Sequence, residues 1–181
     1  MRAVDVLALD VELTSRWPVL LLREQDAPYR VLPMFVGANE ARSIVLALRG
    51  VSPPRPFAHD LLAALIDCVG AHVDHVEVTA LHEGTFIAEL ALSGPGGERW
   101  LDSRPSDAIA LALRVHAPLF VSEAVLDEAG ALVPGPSDQG KIDEDVSRFR
   151  AFLDEVSPAQ FEGAGGVGDG PGEEPDEDPD S

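Results

Sequence analysis

The sequence predicts an α+β fold, a mixed or antiparallel β-sheet with helices packed on it, and three observations lead there. The first 36 residues carry short apolar runs with strand-like alternation. Later apolar residues switch to helical spacing at three places, each announced by a proline, a glycine or an acid. Two alternating runs around His82-Glu-Gly-Thr85 read as a hairpin. A chain of 181 residues, 45% apolar, accommodates one domain of ordinary size with appendages.

Taken in order, Ala3–Val11 is rich in β-formers, with Val4, Val6 and Ala8 on one face and Leu7, Leu9 and Val11 on the other. Pro18–Arg23 and Tyr29–Val36 are further strands, separated by the polar turn Glu24-Gln-Asp-Ala-Pro28. After Gly37, Ala41, Ile44, Val45 and Leu48 follow helical spacing, and Gly50 ends the run. A proline-rich connector, Ser52-Pro-Pro-Arg-Pro-Phe57, leads to a second helix with Leu61, Leu62, Leu65, Ile66 and Val69 as its apolar stripe. Gly70 suits its C-terminal cap. Val73–Leu81 and Phe86–Leu92 form the hairpin, and Ser93-Gly-Pro-Gly-Gly97 turns the chain into a strand over 99–101. A third helix follows Pro105, then a strand over Pro118–Ser122 and a brief helix over Glu123–Glu128.

Strand, acid-bearing turn and helix recur over Val31–Leu48 and Trp100–Leu113, consistent with two related β-rich and helical halves. Convergent helix-start chemistry accounts for this as readily as a repeat. Residues 1–135 are expected to form the main domain. Residues 136–161 form an extension whose helix, Ile142–Val156, lines Ile142, Val146, Phe149, Phe152, Leu153 and Val156 along one side. Residues 162–181 form an acidic Gly- and Pro-rich tail expected to be disordered.

The formal net charge is −19. Eight of the 32 acids lie in Glu162–Ser181, leaving 24 acids against 13 bases elsewhere. A phosphate-binding protein ordinarily shows a basic surface. Any nucleic-acid role therefore has to rest on a local arginine cluster or bound cations. One cysteine, Cys68, excludes an internal disulfide framework and reads as a small packed helix residue. The longest purely apolar run, Val19-Leu20-Leu21-Leu22, is far shorter than a membrane span. A cytoplasmic protein without membrane association is expected.

Three clusters carry residue types suited to chemistry. They are Gly37-Ala-Asn-Glu-Ala41, Arg55-Pro-Phe-Ala-His-Asp60 and Asp102-Ser-Arg-Pro-Ser-Asp107, each preceding or opening a helix. Helix N-termini present free N–H groups and favour anions. Phosphodiester hydrolysis needs an activated water, neutralised phosphoryl oxygens and a protonated leaving oxygen. Carboxylates orient water or a divalent cation, arginine neutralises phosphate, and histidine moves a proton. Ordinary capping explains each cluster taken singly: Ser103 or Ser106 as a cap, Pro105 in the first turn, Asp107 against the dipole. His72, His75 and His82 lack a compact zinc-ligand motif.

The words Leu32-Pro-Met-Phe-Val-Gly37 with Glu40-Ala41, Arg55-Pro-Phe-Ala-His-Asp-Leu-Leu62, Gly84-Thr-Phe-Ile-Ala88, Asp102 to Ala112 and Ala117-Pro-Leu-Phe-Val121 come in the order and spacing of a known family. The chain resembles the bifunctional nuclease (BFN) domain family over about Met1 to Val133. That resemblance implies an α+β domain that forms homo-oligomers and a hydrolase acting on both DNA and RNA. Cleavage of both polymers rules out the ribose 2′-OH as obligatory nucleophile, so water attacks.

On this reading His59, Asp60, Asp102, Asp107 and Glu40 are the candidate catalytic residues, and Arg55, Arg104 and Ser106 the candidate substrate-binding residues. The cofactor is left open, with Mg²⁺ or Mn²⁺ the candidates held by the carboxylates. Ala58 stands where members of that family often carry Thr or Ser, so a hydroxyl beside His59 is missing. The rival reading is a non-enzymatic oligomeric module that binds a small anion or a protein partner.

Overall fold

In a computed structural model the described residues are 1–11 and 17–132. The expected helix over Ile142–Val156 and the acidic tail lie outside them. Eight strands form one mixed sheet: β1 (Arg2–Val11), β2 (Pro18–Glu24), β3 (Arg30–Phe35), β4 (His72–His82), β5 (Thr85–Ser93), β6 (Arg99–Ser103), β7 (Leu119–Val121) and β8 (Ala131–Leu132). Their order across the sheet is β6-β5-β4-β7-β1-β2-β3-β8. Helices α1 (Ala38–Leu48), α2 (Ala58–Cys68), α3 (Pro105–Val115) and α4 (Glu123–Ala129) complete the α+β domain.

The topology gives substance to the expected halves. β1-β2-β3 and β4-β5-β6 are both antiparallel meanders, and each leads directly into a helix, α1 or α3. β7 joins them by pairing antiparallel with β1 and parallel with β4. The parallel pairing requires the chain to cross over, and α3 supplies that crossover.

α3 is the central helix. Ala108, Ile109, Ala110, Leu111 and Ala112 are all buried, so it is covered around most of its circumference. Small alanines let α1 and α2 approach it while it packs on β4 and β5. Its last turn ends at His116, whose φ of 57° places a histidine in the left-handed position usually taken by glycine.

One sheet face meets these helices. Val4, Leu20, Leu22, Leu32, Met34, Val76, Val78, Ala88 and Leu90 join Ile44, Ile109 and Leu126 in the main core. On the opposite face Val19, Leu21 and Val31 form a smaller cluster with Phe35.

Strict alternation fails in β1. The pairing with β2 shifts register between Val6 and Ala8, leaving Leu7 exposed while Leu9 joins Val4 and Val6 against the main core. An extra residue in one strand reverses the face of everything after it.

A second departure is in α2. Its expected apolar stripe points mostly outward: Leu61, Leu62, Leu65 and Val69 are exposed, while His59, Ala63 and Ile66 face inward. Cys68 is likewise exposed rather than packed.

A polar lock holds the other end of the sheet. Glu24 is fully buried and accepts from the Arg30 backbone N–H, from both sides of the Arg30 guanidinium, and from Arg2 Nε at 2.7 Å. Arg30 reaches on to Glu123 and Asp127, tying the β2–β3 hairpin to α4. Hydrogen bonds from Arg30, then Arg2, hold the Glu24 carboxyl down at about 2 against the opposing cost of burial.

Candidate active site

Three helix starts position the site, and all three carry an acid at the third helical residue: Glu40 in α1, Asp60 in α2 and Asp107 in α3. The sequence alone treats them alike. Asp60 Oδ2 accepts the Phe57 N–H at 2.8 Å, an ordinary helix-start bond, and Oδ1 accepts from Arg114 Nε. Arg114 chiefly, helped by that N–H, keeps the Asp60 carboxyl below its ordinary value.

Glu40 and Asp107 instead converge on one guanidinium. Arg104, the residue before α3, donates from Nε to Asp107 Oδ2 at 2.7 Å and from Nη2 to Glu40 Oε1 at 2.8 Å. These two bonds raise the Arg104 pKa further above its normal value. A Cβ at Gly37 would displace the Glu40 carboxylate from this position.

The other oxygen of Asp107 faces His59, whose Nε2 lies 3.1 Å from Oδ1. His59 Nδ1 lies 2.9 Å from Ser43 Oγ, a residue that sequence reasoning missed. A carboxylate only accepts, so a neutral His59 donates from Nε2 and its Nδ1 lone pair accepts the Ser43 hydroxyl. Ser43 follows Glu40 by three residues on α1, which places both on one helix face. That spacing was the available signal. The hydroxyl beside His59 therefore comes from α1 and not from position 58.

These groups line a cleft of about 650 Å³ together with Asn39, Arg42, Leu46, Phe57, Ala58, Leu62 and Ser103. His59 is 9% exposed at its inner end, and the Arg42 guanidinium lies over the Phe57 ring at 5.5 Å. Four expected site residues, Glu40, His59, Arg104 and Asp107, therefore come together.

The other four do not line the cleft. Asp60 opens on a separate groove beside Arg114 and His116. Asp102 is exposed on β6 opposite Glu89, Arg55 is exposed in the connector, and Ser106 sits half-buried in the first turn of α3. Arg114 was also missed. It is half-buried, and it bonds the carbonyl of Ser43 as well as Asp60, bracing both neighbours of His59.

Mg²⁺ or Mn²⁺ held by the carboxylates would need several oxygens turned to one point. Here the Arg104 guanidinium occupies the space between Glu40 and Asp107, and among the described residues no group of three or more His, Cys, Asp or Glu is arranged to hold an ion. The donor set as placed does not fit the metal.

An α+β domain with a hydroxyl–imidazole–carboxylate chain beside a cleft-facing guanidinium is a scaffold suited to proton transfer at an anionic substrate. Residues 20–134 match the bifunctional nuclease domain family, and the chain belongs to it. It is 42% identical over 165 residues to an uncharacterised protein of Mycobacterium tuberculosis strain H37Rv, covering 89% of this chain and 98% of that one. It is 27% identical over 150 residues to bifunctional nuclease 1 of Arabidopsis thaliana, covering 76% of this chain and 46% of the plant protein. Bifunctional nuclease 1 of Oryza sativa subsp. indica is 28% identical over 121 residues, 65% of this chain and 37% of the relative. No helix among the described residues is long and apolar enough to cross a membrane.

Proposed function

We propose that this protein hydrolyses phosphodiester bonds in DNA and RNA at the cleft between α1, α2 and α3. The observation that carries the reading is the continuous chain Ser43–His59–Asp107–Arg104–Glu40. Arg104 binds the scissile phosphate: its side chain is 68% exposed, and its Nη1 donates to no group among the described residues. Asp107 fixes the imidazole with Nε2 protonated, leaving Nδ1 as the base. The Ser43 hydroxyl passes its proton to Nδ1 while taking one from the attacking water. The resulting hydroxide attacks phosphorus, and solvent protonates the leaving oxygen. Burial of most of the Ser43 residue favours relay over direct attack.

The family and the plant relatives' names support nuclease chemistry, and the reading includes a homo-oligomer in the cytoplasm. The test is cleavage of labelled single-stranded DNA and RNA by repurified protein, with and without Mg²⁺ or Mn²⁺. His59→Ala is expected to abolish turnover of both polymers. Binding that persists without turnover in the native protein would support an anion-binding module instead. Equal cleavage by the variant would trace the activity to a contaminant.

A further inference from the structure

Phe57 breaks the chemistry of helix starts. It is the residue immediately before α2, a position that favours Ser, Thr, Asp or Asn because their oxygens accept free N–H groups of the first turn. A phenyl ring has no oxygen to offer. Nor does this ring fill the core: Phe57 is 43% exposed and lines the cleft together with exposed Leu62. A local rule broken without a packing gain in return marks a residue retained for what it binds.

The ring sits among cations. Successive residues of a helix are turned by about 100°, so on the cleft side of α1 Glu40 and Arg42 lie to either side of Ser43. Glu40 holds Arg104, and the Arg42 guanidinium lies over the Phe57 ring at 5.5 Å. A guanidinium therefore stands on each side of the Ser43–His59 pair. Arg42 is exposed and makes no hydrogen bond or ion pair among the described residues, which leaves its N–H groups available. Aromatic faces for bases beside cations for the backbone are how single-stranded nucleic acid is held.

We propose that the cleft takes single-stranded nucleic acid, with a base beside the scissile phosphate stacked on Phe57 and a flanking phosphate on Arg42. The assignment rests on the nuclease reading. Inside a duplex both faces of a base are covered by its neighbours, so the base must leave the stack before it meets the ring. A cleft of about 650 Å³ has the size of a small-molecule site, room for a nucleotide and not for a duplex. Every base has a π face, and neither the ring nor a guanidinium on phosphate reads the sugar. Selection therefore falls on strandedness, with DNA and RNA treated alike.

The test is anisotropy titration of labelled oligonucleotides with the His59→Ala protein, which binds without cleaving on this reading. The probes are a single strand, the same sequence as a duplex, and a strand of equal length carrying abasic spacers in place of bases. The single strand should bind about tenfold or more tighter than either of the others. Phe57→Ser in the same background should lower single-strand affinity about tenfold and leave the abasic strand unchanged. It should also hold or raise Tm, because serine caps the helix start that phenylalanine leaves uncapped. Phe57→Trp should restore the preference for bases.

An equal loss on base-bearing and abasic strands in Phe57→Ser would make Phe57 a structural residue and overturn the proposal. Equal affinity for those two strands before the change, or tighter binding of the duplex, would overturn it as well. Cleavage by the native protein without any dependence of binding on bases would keep the nuclease reading and reject the stacking site. Base-dependent binding by a native protein that does not cleave would refute the nuclease reading and retain the stacking site.

Discussion

Replacing Asp107 by Asn changes almost no volume but separates the two jobs of that carboxylate. Oδ1 serves His59 Nε2 at 3.1 Å and Oδ2 serves Arg104 Nε at 2.7 Å. An amide can still accept from one of them, but its NH₂ group then faces the other donor. With the oxygen kept towards His59, Arg104 loses its shorter bond and retains only Glu40. Arg104 is largely exposed, so solvent screens this pair and its loss costs at most about 1 kcal/mol of stability. That corresponds to a fall of about 3–5 °C in Tm for a domain of this size. Turnover should suffer far more, because the amide can keep either the tautomer of the base or the aim of the phosphate-binding group, but not both. A loss of roughly 10²–10³-fold is expected, as for removal of a general acid–base function. The assay is single-turnover cleavage of labelled DNA and RNA alongside thermal melts of the same preparations. Cleavage that falls only in proportion to the folded fraction would refute the assignment.

Other outcomes follow from neighbouring contacts. Ser43→Ala removes the hydroxyl on His59 Nδ1, and a water can occupy the vacated space. Cleavage should fall about tenfold with KM little changed, as expected when a relay rather than a nucleophile is lost; complete loss would make Ser43 the attacking group. Glu24→Gln tests the buried lock through urea unfolding across pH. The folded carboxyl lies at about 2 against an ordinary 4.5, equivalent to roughly 3 kcal/mol of stabilisation. Because the folded value is the lower one, this contribution is full above the ordinary value and disappears as pH falls from about 5 towards 2. The native protein's advantage over the variant should therefore narrow across that window, and a constant difference would contradict the linkage.

Most of the architecture was legible because local chemistry and tertiary structure agree. Pro105 at the first position of α3, Gly70 after α2 and the turn at Glu83-Gly84 mark boundaries that hold to within a residue or two. The β1 irregularity was not legible, since nothing in Val6-Leu-Ala8 marks the extra residue that moves Leu9 to the core face. α2 misled for a different reason. Its leucines satisfy a helical period, but periodicity reports amphipathic character and not what covers the apolar side. The buried side belongs to His59, a polar residue that burial-by-type reasoning would place outside. The same blind spot hid Ser43 and Arg114. Their significance depends on contacts across 16 and 54 residues of chain, to His59 and Asp60.

The three helix starts show why similar motifs acquire different roles. An acid at the third helical position satisfies free N–H groups and complements the dipole wherever it occurs. In α2 that is its function, and Arg114 absorbs the remaining charge. In α1 and α3 the residue before α3 is itself an arginine, and the packing of α1 on α3 brings both acids to it. With two carboxylates against one guanidinium, the cleft lacks the excess positive charge that would draw a polyanion from a distance. A chain of net charge −19 adds long-range repulsion. On the nuclease reading, substrate capture therefore depends on short-range cations: Arg42 at the rim and the free edge of Arg104. Such a site should bind nucleic acid weakly and select for strands flexible enough to bring one phosphate into the cleft.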